Sequence, residues 1–247
     1  MDEIQNLRSL KDYEEKLREQ SLAIIAEDPG LKEQMWMIEG GMDVVMGFTK
    51  EHKKLSDDEL TIQYLGIRLF NDAAASVRLG LSGYYQLAFL LVRDILEVGF
   101  LLDFFRTSPG KIREWKDADQ KALMKSFRPF QIRDALDRRD GFKEKKREIA
   151  YKQLSNYAGH ATYRGFRITM KDGLGEVGPF LNKQHIEAWL AEMHWRFGTS
   201  SLIYADLFHS PSQRLAELRA NYHTWLEGRR VRDAVSTEAS TVGGSLS

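Results

Sequence analysis

Apolar residues recur every three or four positions through most of this 247-residue chain, and that spacing restricts what it can fold into. A period near 3.6 places such residues on one face of a helix, which must then find another apolar face. Ile4, Leu7, Leu10, Tyr13 and Leu17, continuing into Leu22, Ile24 and Ile25, form the first stripe. Ile186, Trp189, Leu190, Met193 and Phe197 form a later one, and Leu215, Leu218, Tyr222 and Trp225 the last. The fold class that follows is all-α, a helical bundle.

Breaker residues divide these stripes. Asp28-Pro29-Gly30 ends a first helix over about residues 2–26, and a second runs over about 31–53, with Gly40-Gly41 marking a kink or a close helix contact. Ser56-Asp57-Asp58-Glu59 has the form of a capping box and opens a helix reaching about Leu79. Gly80-Leu81-Ser82-Gly83 bends the chain into the most apolar segment, Tyr84 to Phe105, which stops at Pro109-Gly110. Arg93, Asp94, Glu97 and Asp103 interrupt that segment. Each would cost roughly 2.5–3.5 kcal/mol at a bilayer centre, so it is read as a buried helix and not a membrane span.

Shorter helices divided at Pro129 fill residues 111–140, and a charged helix follows from Phe142 to about His160. Phe166-Arg167-Ile168-Thr169-Met170 alternates, and Lys171-Asp172-Gly173 is a turn signal, so a small β-hairpin or ordered loop is expected near residues 165–180. A long helix returns from Lys183 to Phe208, and Ser210-Pro211 caps the last. After Arg232 the composition turns to serine, threonine, alanine and glycine, which reads as a disordered tail. The expected organisation is residues 1–55 as helices packing on the bundle, 56–230 as its core and 231–247 as the tail.

Thirty-six basic residues balance thirty-six acidic ones, so no global field draws the chain to nucleic acid or membrane, and any such binding must be local. Absence of cysteine excludes disulfides, thiolate metal sites and cysteine nucleophiles. With an acidic, polar N-terminus lacking a secretory signal, the expectation is a cytoplasmic protein. His185 and His194, nine positions apart, do not form a short-spaced ligand pair, and the segment from Gly173 to Gly178 matches neither a Walker loop nor a dinucleotide turn. No metal and no cofactor are expected. Trp36, Trp189, Trp195 and Trp225 read as core and interface packing.

Three constellations could carry chemistry. Gln86, Arg93 and Glu97 share one face of the apolar helix, as an ion pair that orients the helix or as a pocket in which Arg93 holds an anion. Between Tyr151 and Arg164, helical spacing puts Asn156 and His160 on one face beside Tyr157, with Tyr151 and Ser155 in the next row. Histidine transfers protons near neutral pH, although a helix C-terminus also favours it for electrostatic reasons alone. The run from Arg138 to Arg147, six basic residues against two acidic, could meet a phosphate backbone or be a solvated face.

The helix Leu91-Val92-Arg93-Asp94-Ile95-Leu96-Glu97, followed by Tyr151, Leu154, Ser155 and His160 in the order Tyr-x-x-Leu-Ser-x-x-x-x-His, resembles bacterial helical proteins related to the HEPN superfamily, over about residues 60–208. The resemblance implies a helical bundle, often dimeric, and in many members a metal-independent ribonuclease of toxin or antiphage systems. Their signature is an arginine followed, four to six residues on, by a histidine. Here His160 and Asn156 take the histidine and polar positions, but Ser155 stands where arginine is expected, leaving Arg93 or Arg164 to supply a guanidinium. The catalytic candidates are therefore His160, Asn156 and Arg93, and the binding candidates Glu97, Tyr151, Ser155, Tyr157 and Arg164. The expected function is a HEPN-like protein without a complete catalytic motif, a binding component of stress response or phage defence whose partner is RNA, a nucleotide, a protein or a second copy of the chain. The alternatives are a metal-independent ribonuclease using His160 with an arginine, and a purely structural or protein-interaction bundle.

Overall fold

A computed structural model describes residues 5–53, 56–163 and 165–243, with side chains from residue 6 through 233. Its order is α1 (Gln5–Glu27), α2 (Pro29–Glu51), α3 (Asp57–Leu81), α4 (Tyr85–Thr107), α5 (Gly110–Lys116), α6 (Gln120–Ser126), α7 (Pro129–Arg139), α8 (Lys146–Leu154), a two-stranded hairpin, α9 (Lys183–Asp206) and α10 (Gln213–Gly243). The all-α bundle expected from the stripes is what forms. No helix among the described residues is long and apolar enough to cross a membrane.

The helix ends follow local chemistry. Asp28-Pro29-Gly30 both ends α1 and starts α2: the Asp28 carboxylate accepts from the Gly30 and Leu31 amides, and Pro29 takes the first helical position, where a missing N–H costs nothing. Ser56 Oγ accepts from the Glu59 amide at 3.2 Å and opens α3. At the other end of α3, Tyr84 N–H reaches Leu79 O at 2.9 Å and Gly83 N–H reaches Gly80 O at 3.2 Å, with Gly83 at φ +86°. This is a Schellman stop, and it requires the left-handed conformation that glycine adopts without strain.

Helices α4 and α9 form the centre, with α2 and α3 packed against them. Met37, Ile38, Val44 and Phe48 of α2, Val92, Ile95 and Leu102 of α4, and Trp189, Met193 and Phe197 of α9 are fully excluded from water in one continuous core. A buried relay fixes their register: Trp189 Nε1 donates to Ser76 Oγ at 3.0 Å, and Ser76 Oγ donates to Ala88 O at 3.0 Å. The Gly40-Gly41 pair is a close contact, since a Cβ there would press on the Tyr222 ring and on Phe197 within about 3 Å. Helix α2 therefore belongs to the core, and α1 joins it at its C-terminal end through Ile25, with Leu7, Leu10 and Tyr13 exposed.

Several local expectations need correction. The charged helix expected from Phe142 begins only at Lys146, after Gly141 and Lys145 in left-handed conformations, and its α-helical hydrogen bonding stops at Leu154. Phe166–Thr169 is not a strand but part of a 3-10 turn over Gly165–Thr169. The hairpin itself forms, pairing Met170 with Gly175 and Lys171 with Leu174 around Asp172-Gly173, both at positive φ. Ser212, not Ser210, caps α10: its Oγ accepts from the Leu215 amide at 3.4 Å, whereas Ser210 sits at φ +51°. Helix α10 continues through Gly243, beyond Arg232 where composition predicts order to end; residues 244–247 lie outside the described residues. Trp36, read as packing, is half exposed and carries the Lys32 ammonium 5.0 Å from its ring.

Candidate functional site

Arg93 and Glu97 stand one turn apart on α4, where they form an ion pair at 3.3 Å with side chains 22% exposed. Tyr151 projects from α8, which packs on α4 together with α7. Arg93 Nε donates to Ser155 Oγ at 2.9 Å, and Arg93 Nη2 donates to the Tyr151 hydroxyl as well as to Glu97. The Arg93 guanidinium also lies over the Tyr151 ring, 4.8 Å from its centroid. Four of the eight residues named from the sequence thus converge on one guanidinium, three of them through charge-assisted bonds.

The backbone at Ser155 explains where the others go. After α8 the chain widens into a π-turn over Ser155–Gly159, and His160 N–H donates to Ser155 O, five residues back, at 3.0 Å. Such turns occur mostly as single insertions and often mark functional sites. Asn156 lies within this turn, and His160 ends it in extended backbone at φ −127° and ψ 144°. Both are exposed, and neither side chain makes a hydrogen bond among the described residues. The stem of Arg93 lies under the turn, with a Cβ at Gly159 falling 3.5 Å from Arg93 Cδ. Thr162 ties the exit back, its Oγ1 donating to Asn156 O at 2.8 Å and accepting from the Gly165 amide at 3.0 Å.

Beyond the turn the surface becomes aromatic. Tyr157 is 47% exposed, Tyr163 85% and Phe166 50%, and the last two meet edge to face at 6.4 Å. Arg167 is exposed beside them. Arg164 lies outside the described residues. Tyr157 and Arg167 also line a cavity of about 530 Å³ floored by Phe89, Leu154 and Ile168 and edged by His185. Burial pulls the His185 imidazole below its ordinary value, partly offset by the Arg167 backbone, and its Nδ1 is buried with no hydrogen-bond partner among the described residues.

The chain matches no family model, no curated protein and no solved structure.

Sequence reasoning missed Arg133. On α7 it is 7% exposed, and its guanidinium lies over the Tyr151 ring at 4.0 Å. The usable signal was helical: Pro129 fixes the start of α7, and Arg133 falls next to Ile132 and three positions before Leu136, both buried. The 138–147 run, by contrast, is largely neutralised. Arg139 forks onto Asp103 at 2.9 and 3.1 Å and onto Asp140, while Arg147 pairs with Asp137 at 2.7 Å and with Asp140. Its hydrogen bonds to Arg139 and Arg147 lower the Asp140 carboxyl to about 2. A cavity of about 600 Å³ lies beside this network, lined in part by Arg106, Trp195 and His223. No cluster of three or more histidine or carboxylate ligands suits a metal among the described residues.

Proposed function

We propose that this chain is a HEPN-like bundle that binds single-stranded RNA on the face formed by residues 156–163 and 165–167, and holds it without efficient cleavage. The observation that carries this reading is the exposed aromatic trio Tyr157, Tyr163 and Phe166, in one segment with the exposed Arg167 and with Asn156 and His160, whose side chains make no hydrogen bond among the described residues. Unstacked bases are held on aromatic and guanidinium faces in this manner, with sequence read by nearby polar groups. Double-stranded nucleic acid hides those faces, which makes single strands the better fit. Binding without cutting follows from the commitment of Arg93. Its Nε and Nη2 are taken by Ser155, Tyr151 and Glu97, so it braces the π-turn and is not directed at a scissile phosphate.

Fluorescence anisotropy with a labelled single-stranded RNA tests this. Tyr163→Ala with Phe166→Ala should weaken binding by roughly 1–3 kcal/mol per lost stacking platform. An affinity unchanged in the double variant would remove the face from consideration. The ribonuclease reading is favoured by one fact, that the His160 imidazole is exposed and makes no side-chain hydrogen bond among the described residues, which leaves it open to a substrate hydroxyl. Incubation with RNA in the presence of chelator distinguishes the two. Binding without cleavage is expected, and metal-independent cleavage lost in His160→Ala would establish the ribonuclease instead.

A further inference from the structure

The cavity of about 530 Å³ lined by α4, α8, the π-turn and α9 has the size of a small-molecule site, which runs from roughly 300 to 1,000 Å³. Its floor is apolar, since Phe89, Leu154 and Ile168 are buried members of the core. Helix α9 lines it over two turns, from Gln184 to Glu192, about 12 Å at a rise of 1.5 Å per residue. Ala188 and Ala191 on that wall are exposed, and their methyl groups leave the space unfilled.

The charges of the lining narrow the occupant further. Glu192 is committed, accepting from Arg196 Nε at 3.0 Å. Burial pulls His185 below its ordinary value, so the imidazole is uncharged above neutral pH. Arg167 is different: its guanidinium is exposed and makes no hydrogen bond or ion pair among the described residues. One free cation therefore stands at the mouth of an apolar trough.

We infer that this cavity binds an apolar monocarboxylic acid, with its hydrocarbon body laid along α9 over Phe89, Leu154 and Ile168 and its carboxylate received by Arg167. A guanidinium takes a carboxylate through two parallel hydrogen bonds. A neutral apolar molecule leaves Arg167 without a partner, a cation is repelled by it, and a polyanion finds no second free cation among the described lining residues. Tyr157 and Arg167 belong also to the aromatic face, but the acid is titrated without RNA, so the two readings stand or fall separately.

The test is calorimetric titration of the full chain at pH 8 with octanoate, octanol and acetate. Octanoate should bind at least about a hundredfold more tightly than acetate, because each buried methylene adds roughly fourfold. It should bind about fivefold more tightly than octanol, the upper range for an exposed ion pair. Arg167→Met keeps the stem and deletes the charge, and should lower octanoate to the affinity of octanol while leaving octanol unchanged. Ala188→Phe puts a ring into the trough from an exposed position, and should abolish binding of both with the circular dichroism of wild type retained. Octanoate binding with no RNA binding ends the RNA reading alone. Octanoate no tighter than acetate, octanoate and octanol alike in wild type, or octanoate undisturbed in Ala188→Phe overturns the proposal. Self-association lost in Ala188→Phe, with no octanoate response in wild type, overturns it too and makes a second copy the occupant.

Discussion

A single side chain decides most of the site's local order. Arg93 reaches Ser155, Tyr151 and Glu97 at once, so it links α4, α8 and the π-turn through bonds that the sequence places 58 and 62 positions apart. The Arg93–Glu97 spacing was readable, and so were Tyr151 and Ser155 as one row. The π-turn that carries Asn156 and ends at His160 was not. A π-turn depends on what the backbone packs against, and residue spacing alone does not encode it.

Asp72 gives a second residue-scale case. Arg68 gives its fork to Asp94 at 2.8 and 2.7 Å and comes only within 3.9 Å of Asp72. Burial opposes it, but the Arg68 fork still lowers Asp94, while burial first and the facing Asp94 second push Asp72 up to about 7. Between its ordinary value of 3.8 and about 7, the folded chain holds a proton that the unfolded chain has released. Stability therefore falls as pH rises through that window, and the full cost is present above it. Asp72→Asn should raise the melting temperature at pH 8 and change it little at pH 4. A shift of equal size at both pH values would show that Asp72 carries no retained proton.

At the scale of elements, the helix crossings depend on glycines whose absent side chains make room. A Cβ at Gly99 on α4 would collide with Ser200 of α9, and one at Gly66 on α3 would collide with the Tyr204 ring. Gly99→Ala should thus destabilise by about 1–3 kcal/mol despite alanine's better helix propensity, as chemical denaturation would record. A neutral or stabilising result would mean that α4 and α9 can separate without penalty. Breakers and caps made most element boundaries legible: Asp28-Pro29-Gly30, Ser56 and the bend at Gly83 all act as their chemistry dictates. Alternation over Phe166–Met170 misled, because Gly165–Thr169 tightens into a 3-10 turn that hangs from Thr162 and buries only Gly165 and Ile168.

At the scale of the molecule, α10 is fastened by Tyr222, whose hydroxyl donates to Met37 O at 2.8 Å and whose ring fills the hollow left by Gly40 and Gly41, with Gly198 against the hydroxyl. Tyr222→Phe removes one buried hydrogen bond and should cost about 1 kcal/mol, or roughly 2–4 °C in melting temperature. The helical class was legible because many stripes agree on it. The candidate site was half legible, since residues on one helix reveal their shared face while Arg133 joins from α7 only through the tertiary fold. Balanced charge also bears on the proposed function: with thirty-six charges of each sign, the RNA binding proposed above rests on stacking and a few local contacts and not on a global field.

The aromatic face is displayed on a turn that Arg93 braces. Amide hydrogen exchange in Arg93→Met, compared with wild type, measures this directly. Faster exchange confined to about residues 151–166, with α9 protected as before and RNA binding weakened, is the expected result. Unchanged protection across the π-turn in the variant would contradict it.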